Sequence, residues 1–153
     1  MNSIDNISII EDVTLISLHD SPADIQLIAN VFDRIAKAGV DVDMISQAPP
    51  NGHHSSLSFT VNDDDFGSVL QIAAELRQIN PELKISVSSG NCKISVFGSA
   101  MKGTPGIAAK VFSAVASANA DIRMITTSEV DISLLVVKAD VDNAVHAIEK
   151  FFQ

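Results

Sequence analysis

The sequence predicts an α+β fold of two ferredoxin-like βαββαβ domains, and three observations predict it. The chain repeats itself: Val31 to Ile45 (VFDRIAKAGVDVDMI) and Val111 to Ile125 (VFSAVASANADIRMI) share seven identities without a gap, far above chance. A period near eighty residues is too long for a solenoid and suits two tandem domains of one design. Strand-type and helix-type apolar patterns also alternate in the same order in both copies. Finally, a strand-like segment, Ile7 to Ile10 (ISII), precedes the first copy and has no counterpart within it.

In copy one, Val13 to Leu18 (VTLISL) is rich in β-branched residues, and Ile25, Ile28, Phe32 and Ile35 then recur at helical spacing. Gly39 stops that helix. Val40 to Ser46 alternates again, and Pro49-Pro50-Asn51-Gly52 turns into Leu57 to Val61, a hairpin. Asp63 to Asp65 supply caps and favourable charge for a helix carrying Phe66, Val69, Leu70, Ala73 and Leu76. Leu83 to Ser88 closes the unit. Copy two repeats the course with Lys93 to Phe97, a helix through Val111, Phe112 and Val115, strands at Ile122 to Thr126 and Asp131 to Val137, and a helix through Val141, Val145, Ile148 and Phe151. Its sixth element, a strand, is missing. A vacant sheet edge leaves backbone groups unpaired, so the N-terminal segment is expected to complete the C-terminal sheet. The expected domains are 12–90, and 91–153 together with strand 4–11.

The composition bounds the function. A 46% apolar fraction with 19% charged residues excludes disorder, and no run approaches the roughly 18 to 20 apolar residues of a membrane helix. A net charge of −9 repels phosphate backbones and anionic membranes, so neither nucleic acid nor membrane is an expected partner. The acidic N-terminus lacks the features of an export signal, which makes the cytoplasm the expected location. The single cysteine, Cys92, lies in an apolar strand-like run and is expected to be inert. His53 and His54 are adjacent on a strand and point to opposite faces, which disfavours a shared metal. No nucleophile–base pair, phosphate loop or cofactor motif is present, so no catalysis and no cofactor are expected.

The loops that lead into the first helix of each copy carry the most information. In copy one, Asp20-Ser21-Pro22-Ala23-Asp24 reads as Ser21 at the N-cap, Pro22 at the first helical position and Asp24 as the returning carboxylate of a capping box. In copy two, Gly98 to Gly106 (GSAMKGTPG) is longer and glycine-rich, with Thr104 as cap and Pro105 at the first position. Counted back from Phe32 and Phe112, the cap–proline pair predicts a first helix nearly a turn longer in copy one. Such a loop serves many helix starts as plain structure; it also offers free N–H groups that bind a small carboxylate. Asp41 and Asp121, matched at the start of each second strand, are either exposed turn residues or takers of an ammonium group. Together, N–H groups and a carboxylate suit the zwitterionic head of an amino acid.

Several runs carry a family likeness. Gly98 to Phe112 (GSAMKGTPGIAAKVF), Met124 to Val130 (MITTSEV) and Ile132 to Val136 (ISLLV) closely resemble the second ACT domain of the regulatory region of aspartate kinases. Val13 to Gln47, with VDMISQ, resembles the first ACT domain of that region. The resemblance implies a regulatory β subunit or regulatory domain without the kinase catalytic domain. It implies lysine or threonine as allosteric ligand, feedback inhibition, a homodimer formed by ACT–ACT pairing, and a kinase catalytic subunit as partner. One effector site would use Asp20, Ser21, Pro22, Asp24, Ile25 and Gln47 with Asp121 and Ile122 of a partner domain. The pseudo-equivalent site would use Met101, Lys102, Thr104, Pro105, Gly106 and Ile107 with Asp41, Val42, Ser128 and Glu129. The other reading is an ACT-type interaction domain that dimerises without an effector, warranted by a first loop without the family's proline–glycine pair.

Overall fold

The computed structural model describes residues 4–22 and 24–153. The chain divides into two compact units, Asp12–Ser89 and Met1–Glu11 with Gly90–Gln153. Two long strands contribute to both: β1 (Asn6–Pro22) and β4 (Lys84–Phe97). Four segments read from sequence as separate strands are therefore two. The positions at which β1 and β4 pass from one unit to the other are marked by positive φ, +57° at Asp12 and +72° at Gly90. Glycine takes that conformation freely; an aspartate there is uncommon.

In the Asp12–Ser89 unit, β1 is followed by α1 (Ile25–Lys37), β2 (Ile45–Gln47), β3 (His54–Asn62), α2 (Phe66–Ile79) and β4, and the sheet order is β2-β3-β1-β4. The β1–β3 ladder is antiparallel, with Ile16 opposite Phe59. Ile16 and Leu18, with Leu57, Phe59 and Val61, follow the two-residue period of a pleated face and pack against Val31 and Ile35 of α1 and Val69 and Leu76 of α2. The Phe32 ring meets Phe59 edge-on at 5.5 Å between centroids. The predicted strand from Val40 is shorter than expected: the Asp43 N–H donates to the Thr60 carbonyl (3.1 Å) and the Thr60 N–H to the Met44 carbonyl (3.0 Å), but the Met44 N–H is taken by the Thr60 side-chain hydroxyl (2.9 Å), and the regular register starts at Ile45. The three aspartates before α2 form a short 3₁₀ turn capped by Asn62, whose Oδ1 accepts from the Asp64 N–H.

The second unit runs β4, α3 (Ile107–Ser117), β5 (Ile122–Thr127), β6 (Asp131–Val137) and α4 (Val141–Phe151), with β1 as its first strand in the order β1-β4-β6-β5. The N-terminal strand completes this sheet, as the sequence predicts: the Asp5 N–H donates to the Phe97 carbonyl (2.8 Å), and Ile4 and Ile7 pack on the core. That core joins Cys92, Ile94, Val96, Ile132, Leu134 and Val136 of the sheet to Val111, Ala114 and Val115 of α3 and Val141, Ala144 and Ile148 of α4. The Asp5 carboxylate accepts both the Ser99 N–H and the Ser99 hydroxyl at 2.7 Å. The backbone bond, and after it the hydroxyl, hold this carboxyl below its ordinary value of 3.8.

Leu134 is fully buried and Ile125 is 43% exposed. Leu134→Ala is expected to cost about 3 kcal/mol by denaturant unfolding, and Ile125→Ala about 0.5 kcal/mol or less. The Asp5 clasp has a defined pH signature. Its folded pKa is depressed, so its stabilisation is fully present above 3.8 and is lost as pH falls through the lower folded value. The Ser99 amide resonance should titrate with a midpoint below 3.8; a midpoint at or above it would mean that the clasp does not form.

Candidate effector-binding sites

The two helix starts differ from the sequence reading and from each other. In the Asp12–Ser89 unit, Asp20 adopts φ +54° at a bulge in β1, so Ser21 and Pro22 re-enter the ladder opposite Ser55 and His54. Ser21 is therefore not the N-cap. It is buried and its hydroxyl donates to the Ser55 carbonyl (3.2 Å). Pro22 ends the strand rather than opening the helix; its fixed φ and missing N–H suit that place. Asp24 is the cap, accepting the Gln26 N–H at 2.9 Å. The helix begins at Ile25, 77% exposed, and is two residues longer than α3, 13 against 11, so the predicted excess of nearly a turn shrinks to about half a turn.

Other predicted residues of this unit are engaged locally or lie open. The Asp20 carboxylate pairs with Lys84 (3.2 Å). Asp20 and Pro22 line a cleft of about 280 Å³ with Ile79, Asn80, Pro81, Glu82 and Leu83, and this cleft does not include Ser21, Asp24, Ile25 or Gln47. Gln47 ends β2 and is exposed; Asp41 is exposed on the connection before β2, and Val42 beside it packs on the core.

In the second unit the start of α3 is open. Neither Thr104 nor Pro105 takes its predicted place: the Thr104 hydroxyl donates back to the Ala100 carbonyl (2.6 Å), and the helix starts later, at Ile107 behind Gly106 at φ +93°. Among the described residues no side chain is seen to cap the first turn. A cavity of about 230 Å³ lies at this end, floored by Met101, Ile107 and Ile132 and rimmed by Thr104, Gly106, Ala108, Thr127, Ser128 and Glu129. Six residues predicted from sequence meet there: Met101, Thr104, Gly106, Ile107, Ser128 and Glu129. Lys102 stands at the rim, its Nζ 2.9 Å from Glu129 Oε2, and Pro105 is exposed in the turn. The Ser128–Asp131 turn is fixed by the Ser128 N–H to the Asp131 carbonyl (2.8 Å) and by Val130 N–H to the Ser128 hydroxyl (3.3 Å).

Chemically, an uncapped first turn presents N–H groups and the positive end of the helix dipole to a carboxylate, and two hydroxyls with Glu129, whose Oε2 already takes the Lys102 ammonium, present acceptors to an ammonium group. The α1 start has spent this capacity on Asp24. Asp121 is engaged otherwise: its N–H donates to Asp140 (2.9 Å), its carboxylate pairs with Arg123 (3.0 Å), and Ile122 packs on the core. Ala108 and Ile132 were not legible as lining residues; one follows Ile107 in the first turn and the other is an inward position of β6, both ordinary core-pattern residues.

Comparison with known proteins places the geometry in a family. Residues 94–152 match the model of the ACT domain. An aspartokinase of Thermus thermophilus is 35% identical over 145 residues, covering 92% of this chain and 34% of its own length. The regulatory subunit of aspartate kinase from Thermus thermophilus, in its ligand-free form, superposes with a TM-score of 0.87 at 31% identity, over 99% of both chains. The chain belongs to the aspartate kinase regulatory family. It spans about a third of the length of the aspartokinases it matches, and what it matches is their regulatory part. The same fold occurs at 19% identity and TM-score 0.73 in E. coli aspartokinase III, over 98% of this chain and 33% of that one, and that protein was crystallised in complex with lysine and aspartate. No helix among the described residues is long and apolar enough to cross a membrane.

The αL position of Gly106 gives a test of this site. An added Cβ meets no atom within 4 Å, so the cost of Gly106→Ala is conformational, about 1 to 2 kcal/mol. Gly67, equally open but at ordinary φ in α2, should gain about 0.5 kcal/mol on the same change. Thermal unfolding of the two variants should shift in opposite directions.

Proposed function

We propose that this chain is an amino-acid-sensing regulatory module of aspartate kinase, two ACT domains (12–90, and 91–153 with strand 4–11) that mediate feedback inhibition by lysine or threonine. The observation that carries the reading is the cavity at the uncapped start of α3, where N–H donors stand across from the Ser128 hydroxyl and the Glu129 carboxylate. The effector's carboxylate sits on the first turn of α3, and its ammonium group faces Glu129 and the hydroxyls of Thr127 and Ser128. In a homodimer built by ACT–ACT pairing, Asp41 and Val42 of a second chain close the cavity. The module works in the cytoplasm with a kinase catalytic subunit and requires no cofactor.

The two sites implied by the family resemblance are unequal in this reading. Asp24 already holds a carboxylate at the start of α1, where an effector carboxylate would meet like charge. The loop Asp20 to Ile25, with Gln47, Asp121 and Ile122, therefore serves pairing rather than effector binding, and the interaction-domain alternative applies to that half alone.

Isothermal titration of lysine and, separately, threonine into the purified chain tests the reading. Heat of binding from one of them, with affinity reduced about tenfold or more by Glu129→Gln and by Asp41→Ala, is the expected result. Absence of binding at millimolar concentration would overturn it. Binding that Glu129→Gln leaves unchanged would move the effector away from this cavity.

A further inference from the structure

The cavity of the second unit has one wall on the Thr127–Glu129 turn and the other on the run Ser99–Ile107. The turn is fixed by its own bonds to Asp131 and Val130. The opposite wall is a relay of short-range bonds: Met101 N–H to the Gly98 carbonyl (3.0 Å), Thr104 N–H to the Met101 carbonyl (3.0 Å), Thr104 hydroxyl to the Ala100 carbonyl (2.6 Å), and Lys110 N–H to the Gly106 carbonyl (3.1 Å). The relay starts at Gly98, whose N–H donates to the Val130 carbonyl (2.9 Å), and next to it stands Ser99, whose N–H and hydroxyl both donate to one oxygen of Asp5, 94 residues earlier in the chain. Charge-assisted bonds of this length are the stronger kind, and the lowered pKa of Asp5 reflects the same attraction.

We propose that Asp5 is a positioning residue for this cavity: by clasping Ser99 it sets the wall Ser99–Ile107 and the open start of α3, and so couples docking of the N-terminal strand to occupancy of the cavity. The inference rests on reading the cavity as the effector site. Coupling of this kind is reciprocal. A ligand that tightens the wall tightens the hold on residues 5–7, and loosening that hold weakens the ligand. The cavity is thus sensitive to the state of a strand that lines no part of it.

Amide deuterium exchange and calorimetry on the full chain, with lysine and threonine as probes, test this. Asp5→Ala should speed exchange at Met101, Thr104 and Lys110 at least about fivefold while Leu134 and Val136 in β6 stay protected, and should weaken the effector about fivefold or more. Asp5→Asn keeps an acceptor oxygen and should restore most of both. Ile7→Ala, which removes core packing from the same strand, should instead speed exchange across the unit together. Bound effector should slow exchange at the Asp5 and Ser99 amides. If lysine or threonine binds the wild type and Asp5→Ala changes neither the dissociation constant nor exchange in the wall, the proposal is overturned. If neither amino acid binds the wild type, the effector reading falls and the exchange arm decides alone: selective opening of the wall sustains the positioning role of Asp5, and unchanged exchange ends it. Should Asp5→Ala not fold, Ser99→Ala removes the hydroxyl arm alone, and a smaller change of the same sign is required.

Discussion

A sheet edge leaves backbone amides and carbonyls without partners, and in the C-terminal unit the edge at β4 is paired by β1. The strand that fills the place comes from the opposite end of the sequence. From that constraint much of the rest follows: β1 has to be long enough to serve two units, Asp12 takes a left-handed conformation within it, and Ile4 and Ile7 face the second core. It also brings Asp5 to Ser99, and with it a carboxylate to the head of the loop that shapes the α3 cavity.

The two halves share a design and have parted at one feature. Both contain a helix that begins within three residues of a proline. In one, an aspartate from the chain itself satisfies the first turn; in the other, a left-handed glycine opens the helix and no side chain among the described residues closes it. The energetic difference is small, about 1 kcal/mol for a cap. Its chemical meaning is larger, because a capped first turn has spent the donors and the dipole that an external carboxylate would use. Divergence after duplication has left the cores alike, Ile16 and Ile94 serving the same place, and concentrated change where helix meets loop.

Most of the architecture was legible because it rests on period. The repeat from Val31 and Val111, the alternation in β3, the apolar run of β6 and the stripes of α2 and α4 are local patterns with one reading each. The helix starts were misread where a local signal met a stronger distant one: Ser21-Pro22 has the form of a cap and first position, yet the bulge at Asp20 lets the ladder with Ser55 continue through it. Thr104-Pro105 failed for a local reason, the hydroxyl being drawn to Ala100 within its own turn. Six of the residues expected at the second site do gather round one cavity, since they sit on a single loop and the turn facing it. The Asp5–Ser99 clasp had no sequence signal at all. A polar pair 94 residues apart leaves no period and no motif.

The discontinuous second unit also sets an order of events during synthesis. Residues 4–11 leave the ribosome before any residue of the Asp12–Ser89 unit, whereas their partner Ser99 is made 94 residues after Asp5. At about 5 to 20 residues per second that is a wait of roughly 5 to 20 s, long against hairpin closure in microseconds. Through it, Ile7, Ile9 and Ile10 form an unpaired strand-like stretch beside newly made chains of the same sequence. The acidic residues that flank it, Asp5, Glu11 and Asp12, place negative charge at both ends of that stretch, where repulsion between nascent copies opposes edge-to-edge association until β4 arrives.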